Sequence, residues 1–261
     1  MCIDFEENDL LALFDEYRDR YSPLESSVER QSLAPRYGTA STIPRGYYCP
    51  SLVMDILIGG AKRGKVSAKP SKAETAPFVF WFDREDKLIA AESFSEFPST
   101  GRVITGREYL IYHGHSVIAP EYSVSRMQKS PLLRRLTRCE YDDLGRIRRY
   151  RTLFSSDLEC GRDRIDSYEI FAEDYRYDPE SALLDTVQYG QCVAMPASIV
   201  GDSIASQLPD GRDQIKLNWE SICRFIHDEN GFVIQYKESE LTDGDPSEVL
   251  RTVPKYKRKR I

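Results

Sequence analysis

Few residue groupings in this chain have the types and spacing that chemistry requires. Gly59-Gly60-Ala61-Lys62-Arg63-Gly64-Lys65 has the phosphate-loop spacing: a glycine, four residues, then Gly-Lys. The next position should carry a hydroxyl for Mg²⁺ but is Val66, and Pro70 opposes the helix that such a loop opens. Lys62, Arg63 and Lys65 retain only a capacity to meet an anion. His113 and His115 would share a face on one strand, and a metal site would need a third ligand such as Glu121 or His227. Beside Gly114, the same histidines suit an exposed turn. No Gly-x-Ser-x-Gly occurs, and no cysteine has the local signature of a nucleophile. Paired carboxylates of the glycosidase kind meet only in space, and Asp142-Asp143 reads as part of a turn. The sequence therefore assigns no catalytic residue, metal ligand or cofactor.

Recognition is better supplied. Residues 129–151 hold eight bases and three acids, whereas 155–185 hold ten acids and three bases. Residues 1–33 are acidic too, with nine acids and three bases, within a net charge of −6. Opposite charges facing each other on adjacent strands contribute about 0.2–1 kcal/mol per pair, so much of this patterning fits a solvated, self-paired surface. A docking surface is the sharper reading. It places Tyr168, Asp174, Tyr175 and Tyr177 as aromatic and acidic contacts, with Arg134 and Arg148 as basic ones. Arginines in 134–151, interleaved with Tyr141 and Tyr150, would alternatively meet phosphates while the aromatics stack on bases.

The elements that must position these residues are marked by four similar turns. Phe82-Asp83, Tyr141-Asp142, Tyr177-Asp178 and His227-Asp228 each begin a polar stretch that returns to an aliphatic residue five positions after the Asp. An Asp accepts a hydrogen bond from the N–H two residues on and so suits the first position of a type I turn. Three positions further a residue with φ > 0 is wanted. Gly145 and Gly231 meet that need, Asp86 tolerates it, and Ser181 does so less well. Asn230-Gly231 also suits a two-residue type I′ turn, which leaves that register open. Phe78, Phe80 and Phe82, then Tyr175 and Tyr177 with Leu183, Val187 and Tyr189, alternate as half-buried strands do. Asp83, Asp142, Gly145, Asp178, Asp228 and Gly231 are accordingly structural turn residues. His113-Gly114-His115-Ser116 resembles a fifth, degenerate tip.

Tyr141-Asp142, followed by Gly145-Arg146-Ile147, resembles the YD repeats of Rhs and WapA-type proteins, with the other tips as looser copies. The resemblance covers about a fifth of the chain. The Asp positions lie 59, 36 and 50 residues apart, too far for the dense tandem hairpins of a closed YD shell. Rhs-type toxins are often accompanied by small cytoplasmic immunity proteins, and the resemblance implies that role here, with acids of 155–185 imitating nucleic acid before a basic toxin.

The N-terminus reads as helical, with Asp9 as cap, Leu10, Leu13, Phe14, Tyr17 and Tyr21 on one face, and Ser22-Pro23 as its end. A second short helix is expected around Leu24 to Ser32. Residues 50–58 read as a helix between Pro50 and Gly59-Gly60, or as a fully buried strand. Further helices are expected at 195–207 and 215–226. No apolar run approaches the ~20 residues of a membrane-spanning helix, and mean hydropathy is −0.50. The acidic start lacks signal-peptide character, and six dispersed cysteines without Cys-x-x-Cys fit reduced thiols, so a cytoplasmic location is expected.

The expected fold is α+β, with short N-terminal helices and a largely antiparallel, hairpin-built sheet. Residues 1–75 form a helical segment and basic linker, 76–254 a β-rich domain, and 255–261 a basic tail. The expected function is non-catalytic protein binding, with toxin immunity as its specific form. Nucleic-acid binding through 134–151 and an enzyme of unidentified class are the alternatives.

Overall fold

The computed structural model describes residues 3–38, 48–53, 66–68, 78–97, 102–125, 130–155, 167–196, 214–241 and 248–253. Two helices, α1 (Glu7–Tyr17) and α2 (Tyr21–Gln31), precede fourteen strands among these residues. The α+β expectation is thereby corrected. The molecule is mostly β, with one fourteen-stranded antiparallel sheet and only two short helices. No described helix is long and apolar enough to cross a membrane.

The strands are β1 (Arg36–Gly38), β2 (Val66–Ser67), β3 (Phe78–Phe82), β4 (Leu88–Phe97), β5 (Arg102–Tyr109), β6 (Ile111–His113) and β7 (Ser116–Ser125), followed by β8 (Leu132–Tyr141) and β9 (Ile147–Ser155). Next come β10 (Tyr168–Tyr177), β11 (Leu184–Pro196), β12 (Gln214–His227), β13 (Val233–Glu240) and β14 (Glu248–Thr252). Hydrogen bonding follows chain order from β14 back to β3, with β6 pairing beside β7 off this path. At the other end β1 lies between β3 and β2. Two compact units divide the chain. One comprises Met1–Glu7, Ser51–Gly59 and Cys139–Ile261, and the other Asn8–Pro50 and Gly60–Arg138.

Tips explain why the strands turn where they do. Asp83, Asp142 and Asp228 each accept, through Oδ1, the N–H two residues on and a further N–H four residues on, all at 2.9–3.0 Å. The residue three positions on donates its N–H to the Asp carbonyl and has positive φ: Asp86 at 63°, Gly145 at 73° and Gly231 at 78°. The fourth tip is therefore the bulged type I form, with its register shift beside His227, and not the two-residue alternative.

The third tip departs from expectation by one residue. Positive φ falls on Ala182 at 57°, not on Ser181, and Ala182 N–H closes a wider turn on Asp178 O at 2.9 Å. Ser181 instead donates its N–H and hydroxyl to Asp178 Oδ1 at 2.7 and 2.8 Å. The fifth tip joins β6 to β7 through Gly114, at φ 56°.

The cation four positions after the Asp also stacks on an aromatic of the following hairpin. Lys87 Nζ lies 3.7 Å from the Tyr112 ring centroid, and the Arg146 guanidinium 4.2 Å from that of Tyr177. Arg146 Nη1 also reaches Ala182 O at 3.1 Å. Each such contact ties one tip to the next and adds about 0.5–1 kcal/mol at an exposed site.

In the unit holding Asn8–Pro50 and Gly60–Arg138, helices cover the sheet. Leu10, Phe14 and Tyr17 of α1 and Val28 of α2 are buried. Tyr21, Tyr109 and Tyr122 meet edge-to-face with centroids 5.4–5.9 Å apart. Arg107 forks onto Glu25 at 2.9 and 3.0 Å and lies 3.7 Å over Trp81. Helix α1 begins at Glu7, before the expected cap Asp9, and Tyr21 opens α2 instead of closing α1. Pro23 lies in the first turn of α2, where a missing N–H costs no intrahelical bond.

The expected helix at 215–226 is strand β12 instead. Ile215, Ile222 and Ile226 have helical spacing, but Ser221, Cys223 and Phe225 alternate into the core with Cys223 fully buried. Of the helix expected at 195–207, Met195 and Pro196 end β11, and the rest lies outside the described residues. Most of 50–58, the phosphate-loop-like 59–65 and the basic tail also lie outside them.

Candidate functional site

In the unit built on β9–β14, register assigns side chains to two faces, because directly paired residues on antiparallel strands point the same way. One face carries Leu153, Ile170, Cys192 and Asn218 in a row, with Arg151, Ala172, Gly190 and Glu220 in the next. Residues 3–7 lie across it. Ile3 N–H donates to Glu220 Oε2 at 2.9 Å, and Glu7 receives the Tyr168 hydroxyl and Lys216 Nζ, the latter at 2.6 Å. Burial opposes ionisation of Glu7, but the bonds from Lys216 and Tyr168 outweigh it and hold the carboxyl below its usual range.

The opposite face has a closed and an open end. At the closed end Ser51 Oγ donates to the buried Glu173 Oε1 at 2.8 Å, and Leu52 N–H donates to the Tyr175 hydroxyl at 3.0 Å. Tyr175 itself donates to Glu173, and burial followed by that carboxylate's charge pushes its phenol far up. Tyr150, Tyr189 and Cys223 are buried around them.

At the open end, two cross-strand rows are presented. The first runs Phe154, Glu169, Val193, Leu217 and the second Thr152, Phe171, Gln191, Trp219. Leu217 is 59% and Trp219 39% exposed, large apolar side chains on one strand two residues apart. Phe154 and Phe171 meet edge-to-face at 5.9 Å, and the Tyr189 ring meets Trp219 at 5.7 Å. Trp219 Nε1 donates to Gln191 Oε1 at 2.6 Å, and Gln191 Nε2 donates onward to Glu169. The indole is thus held in place while much of its surface faces outward.

The residues expected to bind are dispersed over this unit and its neighbour. Tyr168 and Tyr175 are buried and committed to Glu7 and Glu173. Asp174 takes Arg151 Nη2 at 2.7 Å, on the face under residues 3–7. Tyr177 lies at a tip, donates to Ile147 O at 2.9 Å and stacks under Arg146, and burial pushes its phenol up to about 12. Arg148 is exposed on β9, and Arg134 is half-buried on β8, where desolvation lowers its pKa. His113 ends β6 and His115 stands in the turn, so they do not share a strand.

Four described arginines of the basic segment, Arg135, Arg146, Arg149 and Arg151, are paired with carboxylates. Arg135 meets Glu121 and, at 3.6 Å, the buried Glu108. Arg149 approaches Glu6 at 3.2 Å and Glu140 at 3.7 Å. Arg151 is 1% exposed and bonds Asp174, the Tyr150 carbonyl at 3.1 Å and the Glu173 carbonyl at 2.9 Å.

Leu217 and Trp219 were absent from the expected set. Reading 215–226 as a helix scattered them around an axis. The signal that finds them is the alternation of Ile215, Leu217, Trp219, Ser221, Cys223 and Phe225, which as a strand places an exposed apolar pair on an otherwise buried row. Comparison with family models, with curated proteins and with solved structures finds no match.

Proposed function

We propose that the chain is a non-catalytic protein-binding module whose contact is the open end of the β9–β12 face, centred on Trp219. The observation that carries this reading is the exposed Leu217–Trp219 pair, flanked by half-buried Phe154, Phe171 and Val193. A fixed, partly exposed Trp amid apolar neighbours has the character of an interface anchor. The acidic balance of the chain, net −6, favours a partner with a basic surface. Such a partner is the basic toxin of an immunity pair. Pairing of Arg135, Arg146, Arg149 and Arg151 with carboxylates supports protein recognition over a basic nucleic-acid groove in 134–151.

The test is titration calorimetry against the product of the adjacent gene. Wild-type chain is expected to bind, and Leu217→Asp with Trp219→Ala to weaken binding about 100-fold, as loss of two anchors does. Undiminished binding by that double variant places the contact elsewhere. Oligonucleotide binding that falls steeply with salt and is abolished by Arg148→Glu favours the nucleic-acid alternative instead.

A further inference from the structure

Residues 3–7 are held on the β10–β12 face in the manner of a bound peptide. Ile3, Phe5, Glu6 and Glu7 make the contacts. The Ile3 side chain is buried, 5% exposed, and its N–H is taken by Glu220, which Gln188 Nε2 also meets at 3.1 Å. The Phe5 ring presses onto Gly190, where an added Cβ would lie 3.2 Å from Phe5 Cζ and 2.8 Å from the Trp219 carbonyl oxygen. Only glycine leaves that hollow open. Glu6 faces Arg149 at 3.2 Å and the buried Arg151 at 3.8 Å. Glu7 takes Lys216 and Tyr168.

The face therefore reads an aliphatic residue, an aromatic two on, and two successive carboxylates. Apolar hollows and charge, with one bond from the main chain to a side chain, select these side chains. Glu6 has φ 51°, a left-handed conformation rare for a residue with a Cβ, supported by Glu6 N–H donating to Asp4 Oδ1 at 2.9 Å. Here the chain turns from the strap into α1. A strained residue at the exit of a short bound segment is a natural hinge, since release relieves it.

We propose that this face is a recognition groove for a short aromatic–acidic peptide, filled in cis by Ile3–Glu7 and in trans by the same segment of a second copy. Exchange of an identical element between copies creates no new chemistry and conserves every contact. The groove lies on the sheet face opposite the one that carries Trp219.

The test uses the full-length chain with Phe5→Ala, which weakens the strap and leaves the groove intact, and a fluorescent peptide of residues 2–9. Saturable anisotropy is expected, at least tenfold tighter than for wild-type chain, whose groove is occupied. Adding Lys216→Glu should weaken the peptide at least tenfold, and a Glu7→Lys peptide should recover the loss. Absence of saturable binding to a folded Phe5→Ala chain, equal binding to wild-type chain, or indifference to the charge swap overturns the proposal. Should Phe5→Ala fail to fold, hydrogen exchange on wild-type chain decides. Amides of residues 3–7 should open well before those of β10–β12, and equal protection overturns exchange.

Discussion

Asp86, Gly145 and Gly231, three positions after their Asp, and Ala182, four after its own, have φ between 57 and 78°, yet only two are glycine. The left-handed region costs a residue with a Cβ about 1 kcal/mol, and glycine's extra unfolded freedom offsets part of that. Gly145→Ala is therefore expected to destabilise by about 1 kcal/mol, and Ala182→Gly to stabilise by a few tenths. Urea denaturation checks both, and equal signs for the two substitutions would refute the turn argument. The Asp residues were legible in the sequence because a side-chain acceptor at a turn has one common use. Ser181 was misassigned because Pro179-Glu180-Ser181 permits a wider turn that spacing alone does not distinguish from the narrower one. The +4 cations were legible only as composition, since stacking of Lys87 on Tyr112 and Arg146 on Tyr177 depends on which hairpin comes next.

Strands, more than single residues, decided what reading could recover. Phe78–Phe82 and Tyr168–Tyr177 alternate clearly enough to be seen as strands. In β12, Ile215, Ile222 and Ile226 overlay a helical period on a strand period, and only pairing with β11 and β13 decides between them. The segment 3–7 was invisible as an element because its order comes from Gly190, Arg151 and Glu220, all more than 140 positions away. Its acid response follows from Glu7. The folded carboxyl binds a proton more weakly than the unfolded one, so its contribution is complete above the ordinary carboxylate value of about 4.3. It is lost as pH falls through the lower folded value. Between about pH 6 and pH 3, wild-type chain should lose more stability than Glu7→Gln, the two converging at the acid end. Parallel curves by thermal melting would show that Lys216 and Tyr168 do not stabilise the ionised form.

At the scale of the molecule, charge and apolar surface have separable tasks. Paired arginines remove much of the basic character that residues 129–151 have on paper, while the net −6 remains. Long-range attraction to a basic partner arises from that net charge and is screened over about 10 Å at 0.1 M salt. Leu217 and Trp219 act only at contact, after water has been excluded. Raising salt from about 0.05 to 0.5 M should thus slow association about tenfold or more and leave dissociation nearly unchanged. Trp219→Ala should do the reverse, accelerating dissociation while association stays within a few-fold, because lost contacts act mainly on complex lifetime. Stopped-flow association and surface-bound dissociation measure the two rates independently. Were salt to accelerate dissociation as strongly as Trp219→Ala does, ion pairs at the contact, not the apolar face, would be holding the partner.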